Sequence, residues 1–176
     1  AMLERLSSEY GYRYFVVDKE RDEEGKIISS TYIREMLADG NIIKANKLLG
    51  YYYFVTGTVQ HGNAIGHTKL YPTANLIPPA VKHLPKFGVY VTRVTVDGKT
   101  YGGLTNVGAK PTISGENPVG VETYLYNFEG DLYGKDMKVE LLDFVRPEMK
   151  FESIDALKAQ LDHDIKECQR RYLEFA

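Results

Sequence analysis

Three groups of residues in this chain have the types and spacing to do chemistry. The first is the stretch over residues 61–76, HGNAIGHTKLYPTANL, in which Gly62 and Gly66 sit four apart and Lys69 follows. Small residues let backbone N–H groups close on an anion and a lysine adds charge, so the stretch reads as a phosphate cradle. It also reads as an ordinary glycine-containing turn with a proline opening the next strand. The second group is Thr73 and Asn75, two apart on a strand-like run. That spacing turns both toward one face and sets a hydroxyl beside a carboxamide oxygen. Such oxygens suit Mg²⁺, which keeps several waters and takes a few protein oxygens together with substrate phosphates. The same pair also reads as a β-forming threonine and an asparagine bonded to its own backbone. The third is Glu122. Alternation over residues 119–128 puts Val119, Val121, Thr123 and Leu125 on one face and Glu122, Tyr124, Tyr126 and Phe128 on the other. A carboxylate among aromatic rings is placed to act as a general base, or it is a solvated charge on an outer sheet face.

Other chemistries find little support. His61, His67, His83 and His163 lack the paired spacing of a zinc helix and are read as non-ligands. There is no G-x-S-x-G, no P-loop and no GxGxxG fingerprint, so a nucleotide would be held by another scheme. The one cysteine, Cys168, rules out an intramolecular disulfide and reads as a small apolar side chain in a reducing compartment, with the cytoplasm as the default location. Lys and Arg number 22 against 24 Asp and Glu, a formal charge of -2. A nucleic-acid partner is therefore not expected, despite 14 tyrosines that could stack on bases. No run approaches the roughly 20 apolar residues of a membrane helix, and no membrane partner is expected. Ala1 before Met2 reads as an expression scar.

The elements that must position these groups divide at about residue 50. Before it, residues 13–18 (RYFVVD) read as a short strand and residues 19–26 (KERDEEGK) as a solvated loop. Ser30 or Thr31 can cap a helix running to about Ala38 and ended by Gly40, and Asn41 can cap a second stopped by Gly50. Two short helices cannot bury a core alone, so they must pack on something else. After it come short β-branched and aromatic runs punctuated by glycine or proline every ten residues or so, the pattern of a β-barrel or sandwich. Residues 53–59 form a strand with Gly57 as a bulge, and Asp97-Gly98 turns residues 89–96 back through residues 99–106 as a hairpin. Residues 119–128 and 138–144 add strands, joined across EGDLYG. Ser153 then caps a long helix with Ile154, Leu157, Leu161, Ile165, Cys168, Tyr172 and Leu173 at helical period.

The ordered motifs HG…G…PTANL, FGVYV, NVGAKPT, VETYLYNFEGDLYG and VRPEMKF before a final helix resemble the riboflavin kinase module of bacterial bifunctional FAD synthetases, over about residues 51–175. The resemblance implies a mainly β fold: a six-stranded antiparallel Greek-key barrel with a long C-terminal helix, here preceded by a small helical N-terminal segment. It implies transfer of the ATP γ-phosphoryl group to riboflavin, giving FMN and ADP. Thr73 and Asn75 would bind Mg²⁺ and the phosphates, the Gly62 to Gly66 loop with Lys69 would wrap the nucleotide, and Glu122 would be the base. Arg146 lies in the family's flavin region. A catalytically silent flavin-binding or regulatory module is the alternative.

Within residues 1–50, ISSTYIR resembles the closing motif of the family's upstream adenylyltransferase domain, with Ser29, Ser30, Thr31 and Arg34 in the positions that meet ATP phosphates there. The nucleotide motif with histidines that opens that domain has no counterpart. Residues 1–50 are therefore read as a remnant of that domain plus linker helices, residues 51–176 as the kinase domain, and FAD is not expected as a product. His67 and Leu70 stand near positions where the family carries a basic residue and a glycine, which predicts an altered loop backbone and weaker ATP binding.

Overall fold

The computed structural model describes residues 2–60, 71–109 and 119–175. Six strands, β1 (Phe54–Thr58), β2 (Ala74–Leu76), β3 (Gly88–Val96), β4 (Lys99–Ala109), β5 (Val119–Leu125) and β6 (Asp136–Pro147), form one antiparallel sheet in the order β1-β6-β3-β4-β5-β2. Its two edges meet where Gln60 N–H donates to the Asn75 carbonyl at 2.9 Å, so the sheet curls into a nearly closed barrel. That closure removes the exposed edges an open sheet would present.

Period-two alternation sorts the residues of this wall. Tyr90, Val94, Val96, Val107, Val121 and Leu125 fill the interior, while Val89, Val91 and Leu104 face outward. Across the interior Thr92, Thr105 and Thr123, all fully buried, link through their hydroxyls at 2.9 Å and 2.9 Å, so three polar groups satisfy one another inside an apolar core. The β3–β4 hairpin turns at Asp97 (φ 49°) and Gly98 (φ 72°), the two left-handed residues of a type I′ turn. Gly57 is not a bulge: β1 runs against β6 in unbroken register through Gly57 opposite Met137. The irregularities fall between β3 and β6, at Val89/Tyr90 and Val91/Thr92, where they bend the wall. Asn127 (φ 55°) ends the alternation of β5, so Phe128 swings away from the Glu122 face and packs edge-on against Tyr101.

The described residues also form four helices: α1 (Met2–Tyr10), α2 (Ser30–Asp39), α3 (Ile42–Leu49) and α4 (Ile154–Tyr172). None is long and apolar enough to cross a membrane among the described residues. Helix α2 is capped by Ser29, one residue before the predicted cap, whose hydroxyl accepts from Tyr32 N–H at 3.2 Å; Gly40 ends it in the left-handed conformation. Asn41 and Gly50 bracket α3 as expected. Leu37, Ile42 and Ala45 join the barrel core, and Asn46 donates to the Leu141 carbonyl at 2.8 Å while accepting from Tyr53 N–H at 2.7 Å.

Residues 19–26 are not a free loop. The Asp22 carboxylate accepts from the backbone N–H of Glu24 and Lys26, from the Tyr32 hydroxyl and from Lys44 Nζ, tying the loop to both helices. Residues 13–18 form no strand: Phe15, Val16 and Val17 are 77, 73 and 86% exposed, and no described strand pairs with them. Apolar, β-favouring side chains make a strand only where a sheet edge takes their backbone hydrogen bonds. Helix α1, for which the sequence reading had no element, buries none of its residues.

Helix α4 starts at its predicted Ser153 cap and lies across the outer face of β3, β4 and β6. Cys168 is buried beneath it, and burial pushes its thiol up to about 12, so it behaves as a small apolar group. The ends of the predicted stripe, Ile154 and Leu173, are exposed because the helix outruns the sheet it covers.

Candidate active site

Strand register gathers the site. Asn75 on β2 lies opposite Glu122 on β5, and Glu122 lies opposite Asn106 on β4. Asn106 in turn faces Val89 on β3, which faces Arg146 on β6. One cross-strand row on the outer face thus runs Arg146, Val89, Asn106, Glu122, Asn75, with neighbours about 5 Å apart. Ala74 and Leu76 point inward to the core and lock β2 in the phase that turns Asn75 outward. Asn75 is buried and Glu122 half-buried, whereas Thr73, just before β2, is exposed. Asn75 Nδ2 donates to the Thr73 carbonyl at 3.4 Å, which orients the carboxamide beside the Thr73 backbone.

Aromatic rings line the same face. Tyr124 packs on Tyr126 at 5.9 Å between centroids and on Tyr71 at 5.3 Å, and the Tyr71 hydroxyl donates to the Asp162 carboxylate on α4. Tyr126 is buried against Cys168, and burial pushes its hydroxyl well above the ordinary phenol range. Farther along the sheet Gly108 faces Gly120, leaving the strands without side chains, and the Glu148 carboxylate lies over Gly108 where a Cβ would otherwise stand.

The structure sets Asn75 opposite Glu122 and places Thr73 just before β2, exposed. Gly62, Gly66 and Lys69, with His67 and Leu70, lie outside the described residues. Arg146 is on the row, but its Nε and Nη2 are engaged by the buried Asp164 at 2.9 and 2.6 Å, and its Nη1 donates to the Pro147 carbonyl at 2.9 Å. Ser29 serves as a helix cap, and Arg34 is exposed on α2. Sequence reasoning missed Asn106, Tyr71 and Asp162. The Asp97-Gly98 turn already sets Asn106 opposite Val89, but only the β4–β5 register brings it to Glu122. A separate cleft of about 430 Å³, lined by Ile43, Tyr51, Tyr52, Leu142 and Phe175 among others, holds none of the predicted site residues.

The sequence profile of the family described as "Flavokinase: Riboflavin kinase" matches residues 49–172. The chain belongs to the riboflavin kinase family. The matched region takes in the whole barrel and all of α4, so the row just described lies on the riboflavin kinase domain itself. Two relatives are both described as bifunctional riboflavin kinase/FMN adenylyltransferase. That of Listeria monocytogenes is 38% identical over 149 residues, covering 85% of this chain and 47% of that protein. That of Haemophilus influenzae is 37% identical over 172 residues, covering 94% and 53%. The chain thus spans about half the length of these curated relatives. Among solved structures, a Streptococcus pneumoniae protein described as a macrolide-efflux protein superposes with a TM-score of 0.79 at 38% identity, over 94% of this chain and 54% of that one. Riboflavin kinase from Trypanosoma brucei shares the fold at a TM-score of 0.50 and 22% identity, over 67% of this chain and 75% of that one.

Proposed function

We propose that this chain transfers the γ-phosphoryl group of ATP to the 5′-hydroxyl of riboflavin, giving FMN and ADP, with Glu122 as the base and Thr73 and Asn75 on the metal and phosphate side. The observation that carries this reading is the register of Asn75 against Glu122, which sets a carboxylate next to a carboxamide on one face of a riboflavin kinase domain, with Thr73 two residues before Asn75 in the sequence. An alcohol is a poor nucleophile. As its oxygen bonds to the γ-phosphorus, its proton passes to the Glu122 carboxylate, the bond from γ-phosphorus to the β–γ bridging oxygen breaks, and ADP leaves with that oxygen.

Thr73 and Asn75 offer oxygen donors only, the ligand type that Mg²⁺ takes along with phosphate oxygens. No group of three or more His, Cys, Asp or Glu able to hold a metal occurs among the described residues, which fits an ion that arrives with the nucleotide. Held there, Mg²⁺ would neutralise charge on the transferring phosphoryl group. In this reading Gly62, Gly66 and Lys69 serve the nucleotide. In the same reading Arg146, its nitrogens engaged, holds α4 against β6 and serves the flavin side of the site.

The test is to incubate the chain with riboflavin, ATP and Mg²⁺, with and without EDTA, and to separate the flavins chromatographically. FMN that appears only with the metal, with no FAD behind it, is the expected result. Glu122→Gln should bind riboflavin and ADP as the parent does and turn over about a hundredfold more slowly or worse. Parent-like turnover in that variant would remove Glu122 as the base. Riboflavin binding without FMN in the parent would favour the silent flavin-binding module.

A further inference from the structure

Neither Tyr71, inside the 61–76 stretch, nor Asp162 on α4 has a part in the reaction as described, yet the two meet next to residues that do. Tyr71 stands two residues before Thr73, half-buried, with its ring 5.3 Å from that of Tyr124 at an interplanar angle of 56°. Tyr124 is itself two residues from Glu122 on the same strand and face. The Tyr71 hydroxyl donates to the Asp162 carboxylate on α4, a hydrogen bond to an ionised acceptor and so among the stronger kind.

What lies between this bond and the site is stiff. Pro72 has φ fixed near −65°, and a residue preceding proline is confined to extended conformations. Little torsional freedom therefore separates the Tyr71 hydroxyl from the Thr73 hydroxyl. On the other side of Thr73, β2 holds only three residues against β5, a short purchase for an arm that must keep two oxygens in place. The Tyr71 anchor on α4 supplies a second point of fixation.

We propose that Tyr71 and Asp162 form a positioning clamp that holds the Thr73–Asn75 arm against α4 in the geometry that binds nucleotide. The proposal rests on the kinase reading above and adds to it a residue pair that touches neither substrate nor the reacting atoms. Because the arm is set before the ligand arrives, losing the clamp weakens nucleotide capture and leaves riboflavin binding alone.

The experiment compares the parent chain with Tyr71→Phe, Asp162→Ala and the double variant, by calorimetric titration with Mg·ADP and with riboflavin, by steady-state FMN formation, and by thermal unfolding. Tyr71→Phe keeps the ring on Tyr124 and removes only the hydroxyl. We expect each single variant to bind Mg·ADP about tenfold more weakly and to raise KM for ATP to match, with kcat, riboflavin affinity and the unfolding midpoint close to the parent's. The double variant should be no worse than either single, because both remove one shared bond. Unchanged Mg·ADP affinity in Tyr71→Phe, additive losses in the double variant, or an equal loss of riboflavin affinity and unfolding midpoint would each overturn the clamp. A parent that forms no FMN would instead overturn the kinase reading and the clamp with it, and the parent assay alone distinguishes that case.

Discussion

Thr73 is exposed and Asn75, two residues on, is buried, so substitutions at the pair separate function from folding. Thr73→Val should leave stability within about 0.5 kcal/mol of the parent while raising the Mg²⁺ concentration for half-maximal FMN formation about tenfold, read from metal titrations of the rate. Asn75→Ala should cost both metal response and unfolding free energy. Gly88 tests the backbone alone: at φ 149° any Cβ would run into the Arg146 carbonyl and the Phe144 ring. Gly88→Ala should lose more than about 2 kcal/mol in urea unfolding. At this scale period two made the outward phase of Glu122 legible, since alternation needs no partner to be read, whereas Thr73 falls just outside β2. Asn106 was not legible, because what makes it a neighbour of Glu122 is the pairing of β4 with β5, strands that residues 110–118 separate in the sequence.

Among the elements, α4 was written plainly in its Ser153 cap and its helical period, yet the most buried charge on it was hidden. Asp164, 1% exposed, occupies the covered face because Arg146 on β6 meets it with two nitrogens, a complement no pattern within α4 reveals. Asp164→Ala strands that guanidinium and should destabilise the protein by about 3 kcal/mol in urea unfolding. The loop before α2 carries a pH dependence of known sign. Burial pushes the Asp22 carboxyl up, but hydrogen bonds from Lys44, the Lys26 backbone and Tyr32 outweigh it and hold it down to about 2, below its ordinary 3.8. A depressed folded-state value means the stabilisation is whole above about pH 4 and drains away as pH falls through about 2. Asp22→Asn should therefore lower stability at pH 7 and show a shallower loss between pH 4 and 2 than the parent, measured by denaturant melts across that window. The run KERDEEGK looked solvated because seven of its eight residues are charged; that one of them, Asp22, would be enclosed depended on Tyr32 and Lys44 arriving from two later helices.

For the molecule as a whole, the barrel was legible from the spacing of its turns and the Asp97-Gly98 hairpin, since both are local signals. The N-terminal segment was less so. The capping residues announced α2 and α3, but that Leu37, Ile42 and Ala45 complete the barrel's own core follows only from the docking through Asn46. Residues on both sides of position 50 share one core cluster. Removal of residues 1–18, none of them buried among the described residues, should leave a chain that unfolds cooperatively near the parent's midpoint, whereas removal of residues 1–50 should give an aggregating or partly folded barrel, judged by calorimetry and size-exclusion chromatography. The barrel's closing edge carries a last consequence. At the Gln60–Asn75 contact the wall is fastened, among the described residues, by one backbone bridge beside a three-residue strand, while the β3–β4 and β3–β6 borders run nine residue pairs each. Such a wall behaves like a cylinder slit along one line and held there by a single stitch, so its slowest-protected and fastest-opening amides should lie on opposite sides of the molecule. The stitch passes through the same residue that faces Glu122, and a nucleotide gripping that residue would sew the cylinder shut. Capture of a ligand and tightening of the fold then become one event, and hydrogen exchange around Asn75 would report both.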